Sequence, residues 1–208
     1  MPPAPPAFLY FDLGNVLLNF DHRRSSCQMA EVAGIAPERV WQVVFESPLL
    51  IDFETGHVDE RQFYEAFCNE TGARPDLHAL IEAASAIFDI NTRVLPILIQ
   101  LEAAGHRLGI LSNTNPSHWN YCTRYFGVVP DTFDTVILSY EVGAMKPDPT
   151  IFRVAADRAG VAPEAIFFVD DREENVAGAR AFGFDAVLFT SARKLANDLR
   201  ARGIRCNY

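Results

Sequence analysis

Residues 8–17 read FLYFDLGNVL, and this stretch decides the fold. A short, wholly apolar run, Phe8 to Phe11, gives way at once to the carboxylate of Asp12 and a glycine, the pattern of a buried strand that ends in a polar turn. Four more such runs follow: Leu108 to Leu111 (LGIL), Thr135 to Leu138 (TVIL), Ile166 to Val169 (IFFV) and Ala186 to Phe189 (AVLF). Helix-length periodic segments lie between them, near 91–104 with Gly105 as the stop, and near 116–126, 149–159, 173–182 and 192–202. The alternation predicts an α/β fold: a Rossmann-like, doubly wound parallel sheet with helices on both faces.

The rhythm breaks between residues 18 and 89. Helical patterns near 24–33, 37–45, 60–70 (Asp59 as N-cap, Gly72 just past the end) and 76–88 succeed one another there with no convincing strand. About seventy residues are too many for a loop, so the expected organisation is a core of 1–17 and 90–208 with an inserted helical unit at 18–89.

With 208 residues, 49% hydrophobic and 22% charged, the chain has the composition of a globular protein with one substantial core. Its 18 basic and 27 acidic side chains leave a net charge of −9, which weighs against a nucleic-acid partner. No run approaches the roughly 18 consecutive apolar residues of a membrane span, and MPPAPPA at the start has no basic region or apolar stretch of an export signal. A cytoplasmic protein with no membrane partner is expected. Cys27, Cys68, Cys122 and Cys206 are scattered without a CxxC pair and read as reduced packing residues.

Open α/β sheets bind ligands outside the carboxyl ends of their strands, so the residues at those ends carry the chemistry. They are Asp12 in FDLGNVL, Ser112 and Asn113 in LSNTN, Lys146 in GAMKPDP after a short loop, and Asp170 and Asp171 in FVDDREEN. Magnesium prefers hard oxygen ligands, and Asp12 and Asp171 with one backbone carbonyl and a substrate phosphate make a suitable set. Lys146, the Ser112 hydroxyl and the Asn113 amide can hold the phosphoryl oxygens while Asp12 attacks phosphorus in line. Each residue alone has a plainer explanation, as cap, turn or solvated charge. Four sets at successive strand ends are much harder to attribute to capping.

The order DLGNV, LSNTN, KP and DD resembles the four signature motifs of the haloacid dehalogenase superfamily over nearly the whole chain. Within it, GAMKPDPTIF and FVDDREENVAGA look most like the bacterial sugar-phosphate phosphatases typified by α-D-glucose-1-phosphate phosphatase. The resemblance implies a Mg2+-dependent hydrolase of a small phosphorylated metabolite. Asp12 is then nucleophile and metal ligand, Ser112 and Lys146 hold the phosphate, Asp171 is the direct metal ligand with Asp170 supporting it, and the inserted helices form a cap that excludes water.

One position departs from the pattern. Phosphatases of this superfamily usually carry a second Asp two residues after the nucleophile, where this chain has Gly14. The carbonyl survives as a ligand, but the usual general acid/base is missing, which biases the chemistry toward good leaving groups unless Asp21 or His22 substitutes. Two alternatives follow: a haloacid dehalogenase, disfavoured by the Asp170–Asp171 pair, and a phosphate-binding protein with impaired catalysis. The loop FETGHVDE at 53–60, with Glu54 and His57, is the expected substrate-facing part of the cap, and His118 and Trp119 are candidates for the entrance.

Overall fold

The computed structural model describes residues 5–133 and 135–207; the first four residues of the proline-rich leader lie outside it. Five parallel strands form the sheet, in the order β5-β4-β1-β6-β7. In chain order the strands are β1 (Phe8–Phe11), β2 (Leu18–Phe20), β3 (Phe88–Ile90), β4 (Leu108–Ser112), β5 (Thr135–Leu138), β6 (Ile166–Asp170) and β7 (Asp185–Leu188). The helices are α1 (His22–Ala33), α2 (Pro37–Val44), α3 (Leu49–Glu54), α4 (Glu60–Thr71), α5 (Leu77–Ser85), α6 (Leu95–Ala103), α7 (Pro116–Tyr125), α8 (Val128–Thr132), α9 (Ser139–Val142), α10 (Pro149–Ala159), α11 (Glu173–Phe182) and α12 (Ala192–Ala201).

Side chains alternate across a strand, so a sheet covered on both faces needs apolar residues at every position. Leu9 and Phe11 of β1 with Phe167 and Val169 of β6 face one cluster, closed by Ile97 and Leu101 of α6 and Leu195 and Leu199 of α12. Phe8 and Tyr10 with Ile166 and Phe168 face the other, closed by Ile151, Phe152 and Ala155 of α10 and Val176 of α11. The Tyr10 hydroxyl, carried into this second layer, donates to the Ala155 carbonyl at 2.9 Å. The doubly wound fold expected from the apolar runs is thus present.

Helices α1–α5 bury a third cluster of their own, with Met29, Val40, Val44, Phe53, Phe63, Phe67 and Leu80 at its centre. Asp59 starts α4 with a full capping box: its side chain accepts from the Gln62 N–H, and the Gln62 side chain accepts from the Asp59 N–H. The expectation of no strand within 18–89 is corrected. β2 and β3 pair antiparallel, Leu18 opposite Ile90 and Phe20 opposite Phe88, where the chain leaves and re-enters the sheet layer. Phe88 therefore belongs to a strand and not to the helix expected over 76–88, which ends at Ser85. Phe53 and Glu54 lie in α3 rather than in a loop. The cysteines are free; Cys68, Cys122 and Cys206 are buried, while Cys27 is exposed. No helix among the described residues is long and apolar enough to cross a membrane.

Candidate active site

The carboxyl ends of β1, β4 and β6 meet above the centre of the sheet. The Asp12 N–H donates to the Val169 carbonyl at 2.9 Å, extending the ladder one residue beyond β1 and fixing the direction of the side chain. Ser112 closes β4 and Asp170 closes β6, so both stand inside their strands rather than just after them. Asp12, Ser112, Lys146 and Asp170 are buried, and Asp171 is half-buried.

Lys146 is the hub. Its Nζ donates to Asp12 Oδ1 at 2.8 Å, to Asp170 Oδ2 at 2.6 Å and to the Leu111 carbonyl at 2.8 Å, using all three of its donors. Its backbone is clamped by Asn113, whose Oδ1 accepts from the Lys146 N–H at 2.7 Å and whose Nδ2 donates to the Lys146 carbonyl at 2.9 Å. The Asn113 side chain is thereby committed to Lys146. Burial alone would strip Lys146 of its proton, but the two carboxylates outweigh it and hold the ammonium charged. Burial drives Asp12 the other way, well above the ordinary carboxylate range, with Lys146 opposing and Asp170 and Asp171 adding to the rise.

Asp170 is saturated. Beyond Lys146 it accepts from the Arg172 N–H at 2.8 Å and from Asn175 Nδ2 at 3.0 and 3.1 Å. Asp171 is held by one bond, from Asn15 Nδ2 to Oδ2 at 2.9 Å. Asn15 adopts a left-handed backbone with φ of 53°, a conformation that asparagine tolerates better than most residues. Ligand oxygens of Asp12, Asp170 and Asp171 all lie within 4.8 Å of one another. With Oδ1 of Asp12 and Oδ2 of Asp171 engaged by the protein, the second oxygen of each stands available among the described residues. That donor set is hard, anionic and under-compensated by one ammonium, and it fits a magnesium ion.

Gly14 lies beside this cluster, and its missing side chain has a structural counterpart. A Cβ built there would fall 2.7 Å from Cε1 of Phe20. The Phe20 ring packs in turn against His22, 4.9 Å between centroids, and against Phe88 at 5.9 Å.

The helical segment touches the strand-end loops directly. Gly56, in a left-handed conformation with φ of 72°, sits so close to the Tyr140 carbonyl of α9 that no Cβ would fit between them. Ser117 Oγ donates to Glu60 at 2.8 Å, and His118 Nε2 donates to the Ala84 carbonyl at 3.3 Å while Asn115 Nδ2 approaches its Nδ1 at 3.2 Å. Burial keeps His118 neutral, its pKa pushed down to about 4 with His22 adding to the fall. His118 is therefore a strut across the seam, and Trp119 packs on the first apolar cluster. His57 is exposed beside Asp52 and Thr55. Glu54, half-buried at the end of α3, has its pKa pushed up to about 7 by burial, with the Arg172 charge opposing the rise.

Sequence reasoning did not single out Asn15, Arg172 or Asn175. Asn15 and Asn175 are the amides within DLGN and DDREEN, and their proximity to the paired acids was the available signal.

Comparison with known proteins adds three likenesses and a family. The haloacid dehalogenase-like hydrolase family matches residues 9–183. The glyceraldehyde 3-phosphate phosphatase of Methanopyrus kandleri is 28% identical over 174 residues, 79% of this chain and 73% of that protein. The (S)-2-haloacid dehalogenase 1 of a Pseudomonas species is 35% identical over 94 residues, 45% of this chain and 41% of that protein, so the match spans less than half its length. A HAD family enzyme of Bacteroides thetaiotaomicron, solved with magnesium and inorganic phosphate, has a TM-score of 0.80 at 25% identity, covering 89% of this chain and 95% of that one.

Proposed function

Because the chain belongs to the haloacid dehalogenase-like hydrolases, we propose that it is a magnesium-dependent phosphatase of small phosphorylated metabolites, sugar phosphates foremost, with Asp12 as the nucleophile. The observation that carries this reading is the Lys146 ammonium bridging Asp12 and Asp170 within a cluster of three carboxylates. A dianionic phosphate needs positive and donor groups at its equatorial oxygens, and a carboxylate in line with phosphorus. Lys146, the Ser112 hydroxyl and the Asn113 N–H supply the first, and Asp12 the second.

Asp12, the Gly14 carbonyl and Asp171 would hold the metal, with Asp170 supporting through Lys146. Magnesium bound there supplies Lewis-acid stabilisation of charge on the phosphoryl oxygens. The chain's own work is to orient and to exclude water. Asn113 fixes Lys146, Lys146 orients the Asp12 carboxylate, and attack by that carboxylate forms an aspartyl-phosphate that water then hydrolyses. Residues 18–89 act as the cap over this site, with Gly56 on Tyr140 and Glu60 on Ser117 as closing contacts. The Methanopyrus phosphatase and the phosphate-bound Bacteroides enzyme support the substrate class.

A panel of phosphorylated metabolites assayed with magnesium, with Asp12→Asn as control, tests the proposal. Phosphate release that needs both magnesium and Asp12 is expected. Turnover of 2-haloacids that survives EDTA, with no phosphate released from the panel, would move the protein to the dehalogenase side of its family.

A further inference from the structure

We infer that the groove beside Asp171 is a binding site for an anionic group, carboxylate or phosphate, held by Arg93 and Arg193. The site stands apart from the phosphatase reading; only its use in choosing a substrate rests on it.

The groove is open and has a volume of about 900 Å³, within the range of about 300–1,000 Å³ typical of small-molecule sites. The strands that lead into and out of the helical unit contribute Asn19, in β2, and Arg93, three residues after β3. The connection from β7 into α12 contributes Thr190, and the first turn of α12 contributes Arg193. Asn15 and Asp171, bonded to each other at 2.9 Å, also line it, so the groove is continuous with the acid cluster.

Both arginines are exposed side chains on fixed backbone. Two residues before Arg93, the Asn91 N–H donates to the Leu17 carbonyl at 3.0 Å and its Nδ2 to the Val16 carbonyl at 2.9 Å; directly after Arg93, Val94 is fully buried. The Phe189 N–H donates to the Asp170 carbonyl at 2.8 Å, which joins the end of β7 to the acid pair, and Ala192 and Leu195, flanking Arg193, are buried in the first apolar cluster. Little ordering of the chain therefore remains to be done when a ligand arrives.

No ion pair among the described residues uses either guanidinium. The acids closest to them in sequence are taken, Asp89 by Arg24 at 3.2 Å and Asp198 by Lys194 at 2.7 Å. The charged lining is thus two guanidiniums against the single carboxylate of Asp171, in a chain whose net charge is −9. Guanidinium groups hold carboxylate and phosphate through parallel N–H donors, and the Asn19 amide and Thr190 hydroxyl add neutral ones. Two sources share this chemistry: a second charged group on the substrate itself, and a free anion.

Phenylglyoxal labelling of full-length Asp12→Asn with magnesium, read by peptide mass spectrometry, tests the site without turnover. Succinate or 3-phosphoglycerate should slow modification of Arg93 and Arg193 by about fivefold or more, relative to sodium chloride at the same ionic strength, and leave exposed Arg61 unaffected. Steady-state kinetics with magnesium then separate the sources, because 3-phosphoglycerate carries a carboxylate where glycerol 3-phosphate carries a hydroxymethyl group. If the anion is the substrate's own, KM for 3-phosphoglycerate should be lower by about tenfold or more, and Arg93→Gln with Arg193→Gln should bring the two KM values within about twofold of each other. Protection by succinate without a KM difference assigns the groove to a free anion. Labelling of both arginines unchanged by either probe would overturn the inference, as would a KM ratio that the double variant leaves at its wild-type value. A wild type inert on both esters would remove the phosphatase reading, and the labelling alone would then decide the groove.

Discussion

The ring of Phe20 stands where a side chain at Gly14 would have to go, 2.7 Å from the position of its Cβ. The space beside Gly14 is thus filled by an aromatic residue six positions on, which is itself packed on His22 and Phe88. Gly14→Asp alone should overpack the site, lower stability by about 1–3 kcal/mol and give no gain in turnover. Gly14→Asp with Phe20→Ala should recover the stability lost to the clash and accelerate alkyl phosphates more than p-nitrophenyl phosphate. Urea unfolding and leaving-group comparisons check both parts; equal acceleration of the two substrates contradicts the account.

Lys146 is the single ammonium set between Asp12 and Asp170, and its side chain is almost wholly buried. Removing one partner from a buried ion pair typically costs about 3–5 kcal/mol, since the remaining charge is left without compensation. Lys146→Met should approach that cost at pH 8 in the absence of metal. The loss should shrink toward pH 6, where Asp12 can take up a proton and relieve its repulsion from Asp170. Activity should fall by about 10²–10³-fold or more, because the positive charge beside the phosphate and the contact that orients Asp12 are both lost. Unfolding curves at the two pH values, beside kcat, are the measurement.

His118 gives the seam between helices and sheet an acid sensitivity. Its pKa is pushed down from 6.5 to about 4 in the folded protein. The unfolded chain therefore binds a proton below about pH 6.5 that the folded one refuses until about pH 4, and stability must fall as pH drops through that window. At about 1.4 kcal/mol per unit the ceiling is about 3 kcal/mol. His118→Gln should flatten the slope between pH 6.5 and 4 while leaving stability above pH 7 little changed. A variant with the wild-type slope would show that the acid response lies elsewhere.

Much of this molecule was legible in its sequence, and the reason is burial. Strands covered on both faces read as unbroken apolar runs, so FLYF and IFFV appear as strands without any structure in hand. The order of Asp12, Ser112, Lys146 and Asp170–Asp171 was legible because the sheet topology places every strand end on one rim. Short elements were not: β2 and β3 have three residues each, and α9 has four, too few to show a period. Contacts across long sequence separations were equally hidden. Nothing local couples Asn15 to Asp171, or Phe20 to the space above Gly14.

If Asp12 is the nucleophile, it becomes phosphorylated during turnover. Rapid acid quench of the magnesium-loaded protein during turnover of its best phosphate ester, followed by peptide mass spectrometry, tests it most directly. The account predicts a phosphoryl group on the peptide containing Asp12, absent in Asp12→Asn and absent in EDTA. Phosphate release at full rate with no adduct on that peptide, or with undiminished rate in Asp12→Asn, would contradict it.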